Sequence, residues 1–201
     1  MEQQAVVLFI DRQNFYKGAR RAFFSESDLH YYGQFHPVKL GMLLCSRSVS
    51  GVVRTLKQVR VYIGRPDASK EPKTYSAHMK QCAAWQLAGV EVVHRGLRYP
   101  PDWPISKAQE KGVDVALAID FVAMAIDGDY EMGVIASTDS DLRPALEYVQ
   151  RKCQPKCRVQ TAAWISPRTS STLYIPGSAL WCHRLNRTDY DSVADLTDYN
   201  Q

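Results

Sequence analysis

The run Val6-Val7-Leu8-Phe9-Ile10 ends in Asp11, and this junction constrains the fold more than any other segment of the chain. Consecutive apolar residues, mostly β-branched or aromatic, cannot alternate between core and solvent. They read as a strand buried on both faces, which occurs where helices cover both sides of a parallel sheet. A carboxylate ending such a strand has little structural purpose, because burying it without a partner is costly. The arrangement recurs at Gly133-Val134-Ile135-Ala136-Ser137-Thr138, closed by Asp139, with Asp141 two residues later. A fourth carboxylate, Asp114, follows Glu110-Lys111-Gly112-Val113 and opens a long apolar helix. Open α/β sheets bind their ligands outside the carboxyl ends of parallel strands.

Strand and helix patterns alternate along the chain. Strands are expected at 5–11, 59–63, 90–94, 133–137 and 158–164, and helices at 14–24, 38–48, 74–88, 114–126 and 140–151. In the first helix Phe15, Ala19, Ala22 and Phe23 share one face. In the third, Met79, Cys82, Ala83 and Leu87 are expected inward, with Gly89 just past the end where glycine is favoured. The fourth is apolar around nearly its whole cylinder, which predicts a largely buried helix. Three prolines in Arg98-Tyr99-Pro100-Pro101-Asp102-Trp103-Pro104 exclude regular structure there. The alternation calls for an α/β fold, a parallel sheet with helices on both faces. One domain over residues 1–165 is expected, followed by a tail, 166–201, whose Leu180-Trp181 pair packs back on it.

The 201 residues suit one such domain rather than two. The stretch Val113–Ile126 is interrupted by Asp114 and Asp120 and is too short to span a bilayer, so no membrane role is expected. Met1-Glu2-Gln3-Gln4 leads straight into a strand without a signal-peptide pattern, and five scattered cysteines make no disulfide framework. Together these predict a reducing, cytoplasmic setting. Residues 186–201 carry four aspartates against one arginine, a balance of −3, so the +4 of the whole chain leaves +7 on residues 1–185. A basic body around an acidic cluster suits a polyanionic substrate, although a mildly basic soluble surface has the same charge.

Carboxylates gathered at strand ends repel one another. Two charges about 4 Å apart cost about 4 kcal/mol at an effective dielectric of 20. A divalent cation removes that cost, and an all-oxygen ligand set selects magnesium or manganese. The chemistry this suggests is metal-dependent cleavage of phosphodiesters. Asp11, Asp114, Asp139 and Asp141 would hold one or two ions. Asn14 would bond a metal-bound water, a ligand carboxylate or the phosphate. Plainer roles stay open, since Asn14, Asp139 and Ser140 are all competent helix caps. Asp120 lies six residues beyond Asp114 on one helix, roughly 240° around the axis, so the two face different directions. Asp114 is the better placed, and Asp120 is either a further site acid or a structural residue bonded to backbone or an arginine.

Arg12, Lys111, Arg98 and Arg143 are candidate phosphate contacts, and Tyr31, Tyr32 and Trp103 are candidate stacking platforms. Cys153, Cys157 and Cys182-His183 have poor spacing for zinc, and the five histidines read as structural or exposed. No phosphate-binding glycine loop or nucleophile elbow is present.

Phe9-Ile10-Asp11-Arg12-Gln13-Asn14-Phe15-Tyr16, Lys111-Gly112-Val113-Asp114-Val115-Ala116-Leu117 and Ser137-Thr138-Asp139-Ser140-Asp141-Leu142 resemble the three blocks of NYN domains of the LabA-like group, which are PIN-like nucleases. The resemblance covers roughly residues 5–165. It implies a PIN-like three-layer α/β/α fold, a parallel sheet of about five strands in the order 3-2-1-4-5, a magnesium or manganese site and ribonuclease activity. The family's metal-site acids fall on Asp11, Asp114, Asp139 and Asp141, with Asn14 as polar helper. Arg12 stands where the family usually has glycine, and Thr138 stands where Ser-Gly-Asp has its glycine. The combined expectation is an endoribonuclease cutting single-stranded RNA by in-line attack of a metal-activated water. A DNA or flap nuclease on the same fold is one alternative, and a nucleic-acid-binding regulatory module with little turnover is another. RNA is the expected partner, and a homodimer is compatible with the chain.

Overall fold

A computed structural model describes residues 2–47 and 52–201. Its sheet is built from β1 (Glu2–Asp11), β2 (Val52–Arg65), β3 (Glu91–Gly96), β4 (Met132–Ala136), β5 (Arg158–Trp164) and β6 (Cys182–Leu185). Every neighbouring pair is parallel, and the order is β3-β2-β1-β4-β5-β6. β1 lies in the middle, and Val7 to Ile10 are completely buried there. Its alternate side chains serve two cores, as the two-residue period of a strand requires. Val6, Leu8 and Ile10 face one core, and Val7 and Phe9 face the other.

Helices cover both faces. α1 (Arg12–Phe23), α2 (Pro37–Ser46), α3 (Pro72–Leu87) and the short α6 (Arg187–Val193) supply the first core, with Phe15, Leu40, Leu44, Trp85 and Tyr190 buried in it. α4 (Val113–Asp127) and α5 (Arg143–Lys152) supply the second through Leu117, Phe121, Leu146 and Val149. Among the described residues, no helix is long and apolar enough to cross a membrane.

Several details depart from the sequence expectation. The sheet has a sixth strand, drawn from the segment after residue 165. β6 is only four residues long and buries just His183 and Leu185, so it carries too few apolar residues to be recognised in isolation. β2 starts well before residue 59, in a half that alternates between half-buried and exposed positions. Helix α2 is shorter than expected, and its expected end at Ser48 lies outside the described residues. Pro144 has no N–H to continue a helix from Ser140, so Ser140–Leu142 forms a 3₁₀ turn and α5 starts after it.

The inward face of α3 differs as well. Cys82 is buried as expected, but Met79, Ala83 and Leu87 are exposed, and His78, Gln81 and Trp85 are buried in their place. Polar burial is tolerated because these groups find partners: Gln81 donates to Gln34 Oε1 at 2.9 Å and accepts from Arg12 at 3.2 Å. Helix α4 is not enclosed, since Val115, Ile119 and Ile126 face solvent. Leu180 packs on the second core, but its neighbour Trp181 is 62% exposed.

The loop after α1 is held by internal bonds rather than regular structure. The Arg20 guanidinium donates to the carbonyls of Ser25, Asp28, Leu29 and Tyr32. Tyr32 stacks on Phe24, and Trp103 packs edge-on against Tyr99, so these aromatics anchor their own loops. The tail closes over the first loop: Tyr190 Oη accepts from Gly33 N–H at 2.8 Å and donates to the Gln34 carbonyl at 3.1 Å.

Candidate active site

β1 and β4 are adjacent and parallel, so their last residues lie side by side at the carboxyl edge of the sheet. The chain turns directly from β1 into α1, with Asp11 as the cap whose carboxylate accepts the Asn14 N–H at 3.1 Å. Its other oxygen accepts the Ser137 hydroxyl at 3.1 Å, just beyond β4. Ser137 Oγ in turn accepts the Asp139 N–H at 3.1 Å, so the ends of both strands share one bonded network. Asp139 caps the turn that follows and accepts the Asp141 N–H at 3.0 Å. The capping roles are therefore real, and they coexist with the gathering of acids.

Asp114 arrives from the opposite core. Gly112 holds the left-handed backbone, φ 73°, that starts α4, a conformation that glycine adopts without strain. Asp114 then sits in the first helical turn. Glu110, just ahead, accepts the Gly64 N–H at 2.8 Å. That approach needs glycine at 64, because a Cβ there would lie 2.8 Å from the Glu110 carboxylate and 2.4 Å from Leu97.

A cleft of about 290 Å³ collects these groups. Its walls carry Asp11, Asp114, Asp139 and Glu110 as acids, Gln13 and Asn14 as amides, and Lys17 and Arg21 as cations. Burial pushes the Asp11 carboxyl up to about 6, and the nearby Glu110 and Asp139 charges add to this against the bonds from Asn14 and Ser137. Glu110 is also raised by burial, against the Gly64 N–H bond. Four acids against the two cations Lys17 and Arg21 leave the cleft with an excess of carboxylates. The donors offered to an ion are all hard oxygens, with no thiol or imidazole in the lining. That set fits a hard divalent cation. Among the described residues, no three of these acids bring their oxygens within 4.8 Å of one another.

Of the residues singled out in the sequence, Asp11, Asn14, Asp114 and Asp139 meet in the cleft. Asp141 is exposed and, with Asp114, borders the neighbouring apolar groove between α4 and α5. Arg12 lies under Tyr16, 4.6 Å from its ring centre, and lines a second cleft with Gln81. Lys111 and Arg98 are exposed outside the acidic cleft. Arg143 rests on the Tyr174 ring and donates to its carbonyl at 3.0 Å. Asp120 is bonded by Arg60 and by the Tyr62 hydroxyl, each at 2.8 Å, and takes the structural alternative.

Glu110, Lys17 and Arg21 also line the cleft, beyond the residues expected from the sequence. The cations had a legible signal: Asn14, Lys17 and Arg21 recur at helical spacing along one face of α1, counted from the cap at Asp11. Glu110 had none, because its position depends on β2 passing nearby at Gly64.

A parallel sheet with helices on both faces, and acids collected over the ends of its central strands, defines a PIN-like three-layer α/β/α fold. The NYN domain model matches residues 5–173, and the chain belongs to this family of PIN-like nucleases, which generally use divalent metal ions. The crystal structure of a Vibrio parahaemolyticus protein of unknown function is similar in fold, with a TM-score of 0.51 and 15% identity over 94% of this chain and 89% of that one. No curated protein matches the chain.

Proposed function

We propose that the chain is an endoribonuclease that cuts single-stranded RNA with magnesium or manganese. One observation carries this reading: three distant blocks of sequence deliver Asp11, Asp114, Asp139 and Asn14 to one cleft that also holds Lys17 and Arg21. Asp11, Asp114 and Asp139 would hold the ion, with Asp141 and Glu110 close enough in sequence to support it. The ion supplies activation of water and neutralisation of charge during an in-line displacement.

The remaining work falls to side chains of the chain itself. Lys17 and Arg21, one turn apart on α1, hold the phosphate backbone against the acidic wall. Asn14 is held by Thr138 through its carbonyl oxygen, which leaves its amide nitrogen for the substrate. Asn14 and Gln13 can bond a ribose 2′-hydroxyl, the group that distinguishes RNA from DNA.

The test is cleavage of paired RNA and DNA substrates, single- and double-stranded, with magnesium, manganese or chelator. Single-stranded RNA should be cut only with metal, and Asp139→Asn should lose cutting by orders of magnitude while keeping its cap. Preferred cutting of DNA or flaps would replace the substrate assignment. Metal binding and RNA binding without cutting would indicate a regulatory module.

A further inference from the structure

Away from the acidic cleft, three side chains with soft or borderline donor atoms converge between α3 and β3. His78 and Cys82 are one helical turn apart on α3, on the face it buries. His94 comes from β3, which forms the outer edge of the sheet beside β2. His78 Nε2 lies 3.3 Å from His94 Nδ1 and 3.5 Å from Cys82 Sγ. All three donor atoms fall within 4.8 Å of one another, and they are the only such trio of His, Cys, Asp or Glu among the described residues. We propose that His78, Cys82 and His94 bind a zinc-class transition metal ion, distinct from the hard cation of the acidic cleft.

The spacing fits such an ion. Zinc bonds of about 2.0–2.1 Å to nitrogen and about 2.3 Å to sulfur place tetrahedral ligands about 3.4 Å apart for two nitrogens and about 3.6 Å for nitrogen and sulfur. The observed 3.3 and 3.5 Å match one edge of each kind, and the third pair, His94 Nδ1 and Cys82 Sγ, lies within 4.8 Å. Imidazole and thiolate select zinc over magnesium or manganese, so the two sites draw on different ions. Ligand chemistry agrees with position. Burial holds His78 down at about 4 and keeps His94 below its usual range, so both rings offer lone pairs at neutral pH. Burial pushes the Cys82 thiol up to about 11, and a bound cation is what would draw its proton off. The Arg12 guanidinium nearby also favours the thiolate.

Three protein ligands leave a fourth position for solvent. His78 borders a cleft of about 230 Å³ shared with Arg12, Gln34 and Gln81, which gives water and the ion a route. The bound ion would tie α3 to the edge strand. Through Gln81, which bonds Arg12, α3 is also joined to the residue after Asp11. The ion is therefore a structural clamp beside the nuclease cleft, and its binding does not depend on the nuclease reading.

The plain alternative is that the three side chains only hydrogen-bond one another. Cobalt titration of chelator-stripped protein separates the two. The proposal expects one equivalent of cobalt with a thiolate-to-cobalt charge-transfer absorption, displaced by zinc, and a higher melting temperature in zinc. Cys82→Ser and His94→Gln should abolish that absorption or weaken zinc binding by more than the ~10–100-fold typical of losing a supporting residue. Asp139→Asn should leave it intact. If Cys82→Ser fails to fold, X-ray absorption on zinc-loaded wild-type protein decides: one sulfur at about 2.3 Å with nitrogen neighbours supports the site. No charge-transfer absorption, its persistence in a folded Cys82→Ser, or an oxygen-only zinc environment would overturn it.

Discussion

Asn14 Oδ1 accepts both the backbone N–H and the hydroxyl of Thr138, each at 3.0 Å. The amide at the start of α1 thus fixes the loop leaving β4, and so the spacing between Asp11 and Asp139. Asn14→Ala removes both bonds and leaves the Thr138 N–H without its partner. The expected cost is about 1–3 kcal/mol in urea unfolding, with a clear fall in kcat for RNA cleavage. Unchanged stability and rate would separate Asn14 from the site.

Asp11 makes stability depend on pH in a defined direction. Its carboxyl sits at about 6 when folded against an ordinary 3.8, so the folded chain keeps a proton that the unfolded chain releases. This contribution is fully present below pH 3.8 and is lost as pH rises through 6, amounting to about 3 kcal/mol overall. In chelator, Asp11→Asn should be more stable than wild type at pH 8, by up to about that amount, and lose the advantage near pH 4. Urea melts at both pH values test this. Manganese should narrow the difference at pH 8 by stabilising the wild-type carboxylate.

Lys17 and Arg21 supply the cations of the cleft. In an Asp139→Asn background, where RNA stays intact, Lys17→Ala with Arg21→Ala should reduce the slope of log affinity against log salt by about 1.4 for single-stranded RNA. Arg143→Ala should change that slope less, because its guanidinium already bonds Tyr174. Binding isotherms across a salt series give both slopes. Equal effects would place the RNA path elsewhere.

Asp120 is held by Arg60 and the buried Tyr62, outside the cleft. Asp120→Ala removes one bond from each partner, while Arg60 Nε keeps its bond to the Tyr62 hydroxyl, and should cost about 1–3 kcal/mol. Cleavage per folded molecule should stay near wild type. Loss of cleavage without loss of stability would return Asp120 to the site.

Period and chemistry along the chain were enough to determine the alternation of strands and helices, the burial of β1 on both faces, and three acids at strand or helix ends. These properties are local: a continuous apolar run admits few environments, and a carboxylate after it must lie at the sheet edge. Asn14 was legible for the same reason, three residues past Asp11 at a helix start. Tertiary structure alone decided which of several polar groups came together. Glu110 enters the cleft because Gly64 passes beside it, β6 is a strand because β5 offers an open edge, and Asp120 is structural because Arg60 lies across from it. His78 and Cys82 had helical ligand spacing in plain view, but His94 joins them only because β3 runs beneath α3. Contacts between residues far apart in sequence depend on how elements pack, and no local pattern carries that information.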